Sequence, residues 1–282
     1  MAAARREIRI GHSPDPDDAF MFFGIAAERI DLRGFVFRQV LEDIESLNRR
    51  ALAGEIEVTA VSVHAYAHLA ERYALMSCGA SMGDGYGPIV VAPAPLSLED
   101  LRACTIAVPG TLTSAFLALR LFLGGEFAHR VVRFDRILDA VAAGDADAGL
   151  IIHEGQLTYA SRRLASVVDL GVWWGERTAG LPLPLGANAV RRDLGREAMR
   201  DLTAVLRDSI AYGLANRTEA LAYARDFGRG LDTPTTDRFV GMYVNELTRD
   251  FGERGRAAVR RFLEEGADAG IVPRVPALEF VA

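Results

Sequence analysis

The stretch IRIGHSPDPDDAFMFFGIAAERI, residues 8–30, sets the pattern from which the fold can be predicted. It reads as a short buried strand, IRIGHS, followed by a helix that begins near Asp17. The same order continues downstream, with strands at FVFRQV (35–40) and EVTAVS (57–62) on either side of a helix at EDIESLNRRALAG (42–54). Strands that alternate with helices are typical of a mainly parallel sheet with helices on both faces.

A weak internal repeat indicates two α/β lobes of similar plan. The segments Ile44–Ser62 and Ile137–Ile152 each run from a helix through Ala-Gly-acid-x-acid into an apolar strand. Gly54 and Gly144 occupy the same place in the two segments. We expect each of them to end its helix in a left-handed conformation, which glycine adopts without steric cost.

Two stretches rich in proline and glycine, 85–97 and 180–190, are the expected crossings between the lobes. We therefore predict one lobe of residues 1–92 plus 187–282 and a second lobe of residues 93–186. Two crossing segments would form a hinge, and the cleft between the lobes is the predicted ligand site.

Charge and hydropathy argue against several classes of protein. The 282 residues carry a formal net charge of −6, whereas nucleic-acid binding needs a basic face. No run of about 18 apolar residues occurs, so we predict no membrane span. The N-terminal residues contain no apolar stretch of signal-peptide length, which predicts a cytoplasmic location. Cys78 and Cys104 fit no metal-binding pattern and are predicted to be buried free thiols.

Four strand ends carry small polar residues or histidine directly before a helix, at Ser13, Ser62, Thr111–Ser114 and His153. Ligands of parallel α/β sheets bind beyond the carboxyl ends of the strands. Helix N-termini offer unpaired N–H groups there, which would suit a small organic anion. P-loop, GxGxxG and GxSxG motifs do not occur, which removes the commonest nucleotide-binding and hydrolase interpretations.

Each of these positions has a structural interpretation beside the functional one. Asp15 followed by Pro16 has the form of an N-cap with proline at the first helical position, and Ser13 would be a ligand contact beside it. Thr113 and Ser114 could cap a helix or bind a substrate carboxylate. His153 could be structural, or its neutral imidazole could act as a general base near pH 7.

Several motifs occur in an order and spacing that match a known family along nearly the whole chain. They are GHSPDPDDAFMF (11–22), LEDIESLN (41–48), VSVHAYA (61–67), DGYGPIVVA (84–92), GTLTSAFL (110–117), GLIIHEGQLTY (149–159) and LPLGANAV (183–190). The chain resembles the 1,4-dihydroxy-6-naphthoate synthase family of the futalosine route to menaquinone and, more distantly, chorismate dehydratase. The IIHEGQLTY segment is the most specific of these motifs and favours the synthase.

The resemblance implies an α/β fold with two lobes, periplasmic-binding-protein-like (type II), with a cleft between the lobes. It implies a cytoplasmic lyase that cleaves cyclic dehypoxanthinyl futalosine to 1,4-dihydroxy-6-naphthoate, without a metal or organic cofactor. The expected partner is a small anionic substrate, with no nucleic acid and no membrane. His153 corresponds to the catalytic base of the family. Residues that would line the ligand site are Ser62, His64, Thr113 and Ser114.

The chain departs from the family pattern at SPDPDD, where some members carry Cys and Asn in place of Asp15 and Asp17. Two carboxyl groups would then lie near a site for an anionic substrate. Either they point into the helix N-terminus, or the substrate differs from that of the family. Two other functions stay open at this point: a cytoplasmic protein or sensor that binds a small organic anion without catalysis, and a chorismate dehydratase.

Overall fold

The computed structural model describes residues 6–275 and 277–282. Residues 1–5, on which the prediction of no signal peptide rests in part, lie outside the described range. The strands, in chain order, are β1 (Arg6–His12), β2 (Phe35–Leu41), β3 (Val58–Ser62), β4 (Tyr73–Met76), β5 (Ser81–Gly83), β6 (Ile89–Ala92), β7 (Ile106–Val108), β8 (His129–Val131), β9 (Ala148–Ile151), β10 (Ala165–Asp169), β11 (Leu183–Arg191) and β12 (Phe280–Val281).

The α-helices, in the same order, are α1 (Pro16–Ala26), α2 (Ile44–Ala53), α3 (Val63–Tyr66), α4 (Leu98–Ala103), α5 (Ser114–Leu123), α6 (Ile137–Ala142), α7 (Gly155–Thr158), α8 (Leu170–Arg177), α9 (Arg196–Ala215), α10 (Arg217–Arg225), α11 (Thr233–Tyr243), α12 (Glu246–Arg249) and α13 (Gly252–Asp268). Short 3-10 helices cover Phe134–Arg136, Tyr159–Arg162 and Arg192–Leu194. None of the helices in the described residues is both long enough and apolar enough to cross a membrane.

The chain divides into two compact units. The first comprises the described residues up to Ser81, Gly186–Glu253 and the described residues from Val275 onward. The second comprises Met82–Leu185 and Arg254–Arg274. The chain therefore passes from one unit to the other at four places rather than at the two that the sequence indicates.

This division differs from the predicted lobes at residue 92 and near the C-terminus. β6 is hydrogen-bonded between β9 and β10, so the segment that contains it belongs to the sheet of the second unit. Most of α13 also belongs to the second unit. There Phe262 packs edge-on against the fully buried Trp174, with ring centroids 5.3 Å apart.

The sheet of the first unit has the strand order β12-β4-β11-β3-β1-β2. β1 runs parallel to both β2 and β3, which places the carboxyl ends of these strands at one edge. β11 runs antiparallel to β3 and β4. The apolar helix α1 packs against this sheet and against α9, and the buried core includes Phe20, Phe22 and Ile210.

The sheet of the second unit has the order β10-β6-β9-β7-β8. β7 is parallel to β8 and β9, whereas β6 is antiparallel to β9 and β10. Both sheets are therefore mixed rather than mainly parallel. Two of the antiparallel strands lie at passages of the chain between the units: β6 follows one passage, and β11 contains another. Neither is reached by a helical crossover within one sheet, which is the connection that returns a strand parallel to the one before it.

The internal repeat is confirmed as structure. α2 ends at Gly54, which has φ +74°, and leads into β3 of the first sheet. α6 is followed by Gly144, with φ +79°, and leads into β9 of the second sheet. Each unit thus contains one copy of the same helix–turn–strand segment. Of the two cysteines, Cys78 is buried as predicted, but Cys104 is half-buried because it lies at the C-terminal end of the short helix α4.

Candidate active site

The N-terminus of α1 follows the carboxyl end of β1, and its capping is confirmed. The Asp15 carboxylate accepts a hydrogen bond of 3.2 Å from the backbone N–H of Asp18. Asp18 accepts one of 2.8 Å from the backbone N–H of Ser13, and Pro16 is the first helical residue. The two carboxylates thus hold the turn that carries Ser13 against the start of the helix.

His12 fixes the other side of this turn. Its ring is fully buried and stacks on Phe22, with centroids 4.5 Å apart. Nδ1 lies 2.9 Å from the Ser13 carbonyl oxygen, which can only accept, so Nδ1 carries the proton. Burial lowers the pKa of His12, so its ring is neutral at pH 7.

Asp17 differs from the two capping aspartates. Its side chain is buried, and its Oδ1 makes no hydrogen bond within the described part of the chain. Burial, followed by the negative charges of Asp15 and Asp18, raises the pKa of Asp17 well above its usual range. A neutral carboxyl group at this position adds no charge that would repel an anionic ligand. The departure from the family at Asp17 is therefore compatible with such a ligand.

We expect Asp17→Asn to remove a pH dependence of stability. The folded wild type retains a proton on Asp17 that the unfolded chain loses above about pH 4, so its stability falls as the pH rises above that value, by at most about 1.4 kcal/mol per pH unit. The amide cannot ionise, so the variant lacks this loss. Urea unfolding at pH 5 and pH 8 measures the difference.

The control for this experiment is Asp43→Asn at the N-cap of α2. Asp43 accepts a bond of 3.1 Å from the backbone N–H of Ser46, and an amide oxygen could accept the same bond. This variant should keep the pH dependence of the wild type. An unchanged pH dependence in Asp17→Asn would show that Asp17 is ionised in the folded protein.

Ser62 is the last residue of β3 and the N-cap residue of α3. Its backbone N–H donates to Oδ1 of Asn48 at 2.8 Å, and Nδ2 of Asn48 donates to Oγ of Ser62 at 3.0 Å. Both side chains are buried. His64 follows within α3 and is buried, with its ring centroid 6.3 Å from that of His68. Because β1 and β3 are parallel neighbours, Ser13 and Ser62 lie at the same edge of the first sheet.

The second unit holds the other predicted site residues. Thr113 caps α5: its hydroxyl accepts a bond of 3.2 Å from the N–H of Phe116 and donates one of 2.9 Å to the carbonyl of Gly110. The Ser114 hydroxyl donates to the carbonyl of Leu185 at 2.5 Å. The capping interpretation of this segment is confirmed, and ligand binding by Thr113 and Ser114 stays a prediction.

His153 lies just beyond the end of β9 and adopts φ +53°, a left-handed conformation that is uncommon for a residue with a side chain. Its carbonyl accepts a bond of 3.2 Å from the N–H of Gln156, which closes a turn. Its ring packs edge-on against Phe134, with centroids 4.8 Å apart. Such backbone conformations cost roughly 1–3 kcal/mol and cluster at active sites.

β7 and β9 are parallel neighbours, so the loop that carries Thr113 and the turn that carries His153 follow strand ends at the same edge of the second sheet. The predicted site residues therefore form two sets, Ser13 with Ser62 in the first unit and Thr113 with His153 in the second. Sequence reasoning assigned no role to Asn48. Its signal was a polar amide on the buried face of α2, next to Leu47 and one turn from Ala51.

Comparison with known proteins decides the family. A sequence model of the family described as Menaquinone biosynthesis matches residues 8–268. The chain belongs to this menaquinone biosynthesis family. Among its relatives, a Thermus thermophilus protein named 1,4-dihydroxy-6-naphtoate synthase is 45% identical over 275 residues, which cover 97% of this chain and 99% of the relative. A Streptomyces coelicolor protein of the same name is 36% identical, over 94% of this chain and 95% of the relative.

Solved structures show the fold. A protein of Archaeoglobus fulgidus, 45% identical, superposes with a TM-score of 0.90 over 96% of this chain and all of the other. The alkanesulfonate-binding protein of Xanthomonas axonopodis superposes with a TM-score of 0.73 over the full length of both chains, at 14% identity. The predicted periplasmic-binding-protein-like fold class is confirmed. The resemblance seen in the sequence is also confirmed, and the chain is an enzyme of menaquinone biosynthesis.

Proposed function

We propose that this enzyme is a cytoplasmic carbon–carbon lyase that converts cyclic dehypoxanthinyl futalosine to 1,4-dihydroxy-6-naphthoate, with His153 as the general base. The observation that carries the proposal is the near full-length identity, 45% and 36%, with two proteins named 1,4-dihydroxy-6-naphtoate synthase. The left-handed backbone of His153 at a strand end supports the role of that residue.

For this reaction the protein needs to supply a binding site for the substrate and one general base. The base removes a proton from a carbon that a neighbouring carbonyl group activates. Elimination then releases the sugar-derived part of the substrate as the second product, and the ring system that remains becomes aromatic. A neutral imidazole is suited to this step near pH 7. Ser13, Ser62, His64, Thr113 and Ser114 would hold the substrate and its carboxylate, so that the reacting carbon lies next to the imidazole.

The direct test is an assay of the purified protein with cyclic dehypoxanthinyl futalosine, in which release of the naphthoate is followed by its absorbance. Turnover is the expected result. Heat of binding without turnover would favour a binding protein or a sensor. If the protein neither binds nor converts the compound, the proposal fails, and chorismate becomes the next substrate to try, because the dehydratase is the nearest alternative enzyme.

We expect Thr113→Val to weaken substrate binding more than it slows turnover. The Thr113 hydroxyl holds the loop before α5 through its bonds to the Gly110 carbonyl and the Phe116 N–H. Without these bonds the loop should no longer hold its contacts with the substrate in place, and KM should rise about tenfold, the usual effect of one lost hydrogen bond to a charged group. The variant also loses the cap of α5, which costs about 1 kcal/mol of stability. Steady-state kinetics and thermal unfolding measure the two effects separately.

The matched control is Ser97→Ala, which removes the capping box of α4 in the same unit. Ser97 is exposed and is not among the proposed site residues. Its loss should lower stability by a similar amount and leave KM unchanged. An unchanged KM in Thr113→Val would mean that Thr113 only caps its helix.

A further inference from the structure

The buried pair Asn48 and Ser62 joins α2 to the end of β3. The two side chains are 0% and 2% exposed. α2 lies close to the sheet here, because a Cβ atom on Gly11 of β1 would come within 2.9 Å of Leu47 on that helix. The pair is therefore held between tightly packed elements, in which the amide of Asn48 has little room to move.

The hydrogen bonds of this pair settle how the amide is oriented. The backbone N–H of Ser62 can only donate, so the atom that faces it at 2.8 Å must be the amide oxygen of Asn48. The NH₂ group then faces Oγ of Ser62 at 3.0 Å, and an NH₂ group can only donate. The hydroxyl oxygen of Ser62 is therefore an acceptor in this bond, and its own hydrogen must point elsewhere.

That hydrogen has no acceptor among the residues that the structure describes, since no bond donated by the Ser62 hydroxyl is found there. Thr113 and Ser114 differ, because their hydroxyl hydrogens are donated to the carbonyls of Gly110 and Leu185. A buried donor without an acceptor is costly, which favours a site that a ligand oxygen completes.

We infer that Asn48 is a positioning residue that orients the Ser62 hydroxyl so that its hydrogen is donated to an acceptor oxygen of the substrate, a carboxylate or a carbonyl. The inference rests on the proposed function, in which Ser62 contacts the substrate. Asn48 acts on the ligand through Ser62: it occupies one of the two lone pairs of Oγ and anchors the backbone N–H. A ligand that offers an N–H or O–H in place of the oxygen leaves the hydroxyl hydrogen without an acceptor, so it should bind more weakly.

A double-mutant cycle tests whether Asn48 acts through Ser62. The proteins are the wild type, Asn48→Ala, Ser62→Ala and the double variant. The readouts are KM and kcat with cyclic dehypoxanthinyl futalosine, and Kd by calorimetry with 1,4-dihydroxy-6-naphthoate. Each single substitution should raise Kd and KM about tenfold, with a smaller effect on kcat. In the Ser62→Ala background, Asn48→Ala should change Kd less than about twofold, because the effects of residues that act as one unit are not additive.

Asn48→Asp is the second variant, for the case that Asn48→Ala does not fold. Its carboxylate is nearly isosteric and can still accept from the Ser62 N–H, but it also accepts the hydroxyl hydrogen and so withdraws it from the ligand. We expect Asn48→Asp to lose as much affinity as Asn48→Ala. The double variant Asn48→Asp with Ser62→Ala, compared with Ser62→Ala alone, measures the effect of the new charge by itself. Asn188→Ala is the matched control, since that buried amide donates to the carbonyl of Gly79 and should not alter Kd.

The outcomes separate the inference from the proposed function. A wild type that neither binds nor converts the two compounds overturns the proposed function and the inference with it. A wild type that is active, with an Asn48 effect that persists undiminished in the Ser62→Ala background, overturns the inference alone. So does an Asn48→Ala variant with wild-type Kd and KM.

Discussion

His153→Ala is expected to lower kcat about a hundredfold to ten-thousandfold, while the protein continues to bind its ligand. The imidazole is the one group to which the proposed reaction assigns proton abstraction, and alanine leaves nothing in its place. The Phe134 ring that packs against it would remain, so the surroundings should be little changed. Single-turnover kinetics with cyclic dehypoxanthinyl futalosine and calorimetry with the naphthoate measure the two properties.

Two further variants make the result specific to the imidazole. Asn tolerates left-handed backbone, so His153→Asn should keep the turn and lose turnover to the same extent. His129→Ala is the matched control, because this histidine lies on the exposed strand β8 and is not a proposed site residue. Wild-type turnover by either substitution at position 153 would remove His153 as the base.

The backbone of His153 gives an independent measurement on the same position. At φ +53° a Cβ atom costs about 1–2 kcal/mol, whereas glycine has no such cost. His153→Gly should therefore be more stable than His153→Ala by about 1 kcal/mol, although both are inactive. The histidine would then be retained at a conformational cost, as is common at active sites.

Gly171→Ala is expected to destabilise the second unit by about 3 kcal/mol, at the upper end of the usual cost of overpacking. A Cβ atom at this position would lie 1.9 Å from the carbonyl oxygen of Tyr86 and 2.1 Å from its carbon. Neither contact can be relieved by rotation of a side chain, because both atoms belong to the backbone. The start of α8 would have to move, and with it the Asp169 cap that accepts from the N–H of Gly171 at 2.8 Å.

The same helix provides the control for this substitution. Gly175 lies one turn further along α8, and a Cβ atom there would meet nothing within 4 Å. Gly175→Ala should stabilise the protein by about 0.5–1 kcal/mol through helix propensity alone. Urea unfolding of both variants is the measurement. Equal effects of the two substitutions would mean that the contact with Tyr86 does not limit position 171.

Local features of the fold were predictable because they depend on neighbouring residues. The Asp15–Pro16 helix start and the left-handed glycines at 54 and 144 follow from capping and turn chemistry that a few residues specify. The residue at which the second unit begins did not follow from such signals. The apolar run around β6 predicts a strand but does not indicate which sheet it joins. Nor does an amphipathic helix such as α13 indicate the unit on which it packs.

The candidate site shows the same limit. Strand ends followed by Ser13, Ser62, Thr113 and His153 could be found by pattern, because the edge of a parallel sheet is a general place for ligands. The hydrogen-bond partner of each hydroxyl group could not be predicted from the sequence pattern. Whether a serine hydroxyl donates to a carbonyl, as in Ser114, or accepts from a buried amide, as in Ser62, depends on partners brought close only by the tertiary structure.

The four passages of the chain between the units have a consequence for its synthesis. The first unit needs β12 to complete its sheet, and the second needs the part of α13 that begins at Arg254. A ribosome adds about 5–20 residues per second, so β4 waits about 10–40 s before its neighbour β12 is made. Throughout that time the edge of β4 that pairs with β12 in the folded protein has no partner strand, although β4 is buried in the fold. We therefore expect that both units fold only after translation, rather than one during synthesis and the other later. We also expect folding to depend strongly on chaperones that shield such edges.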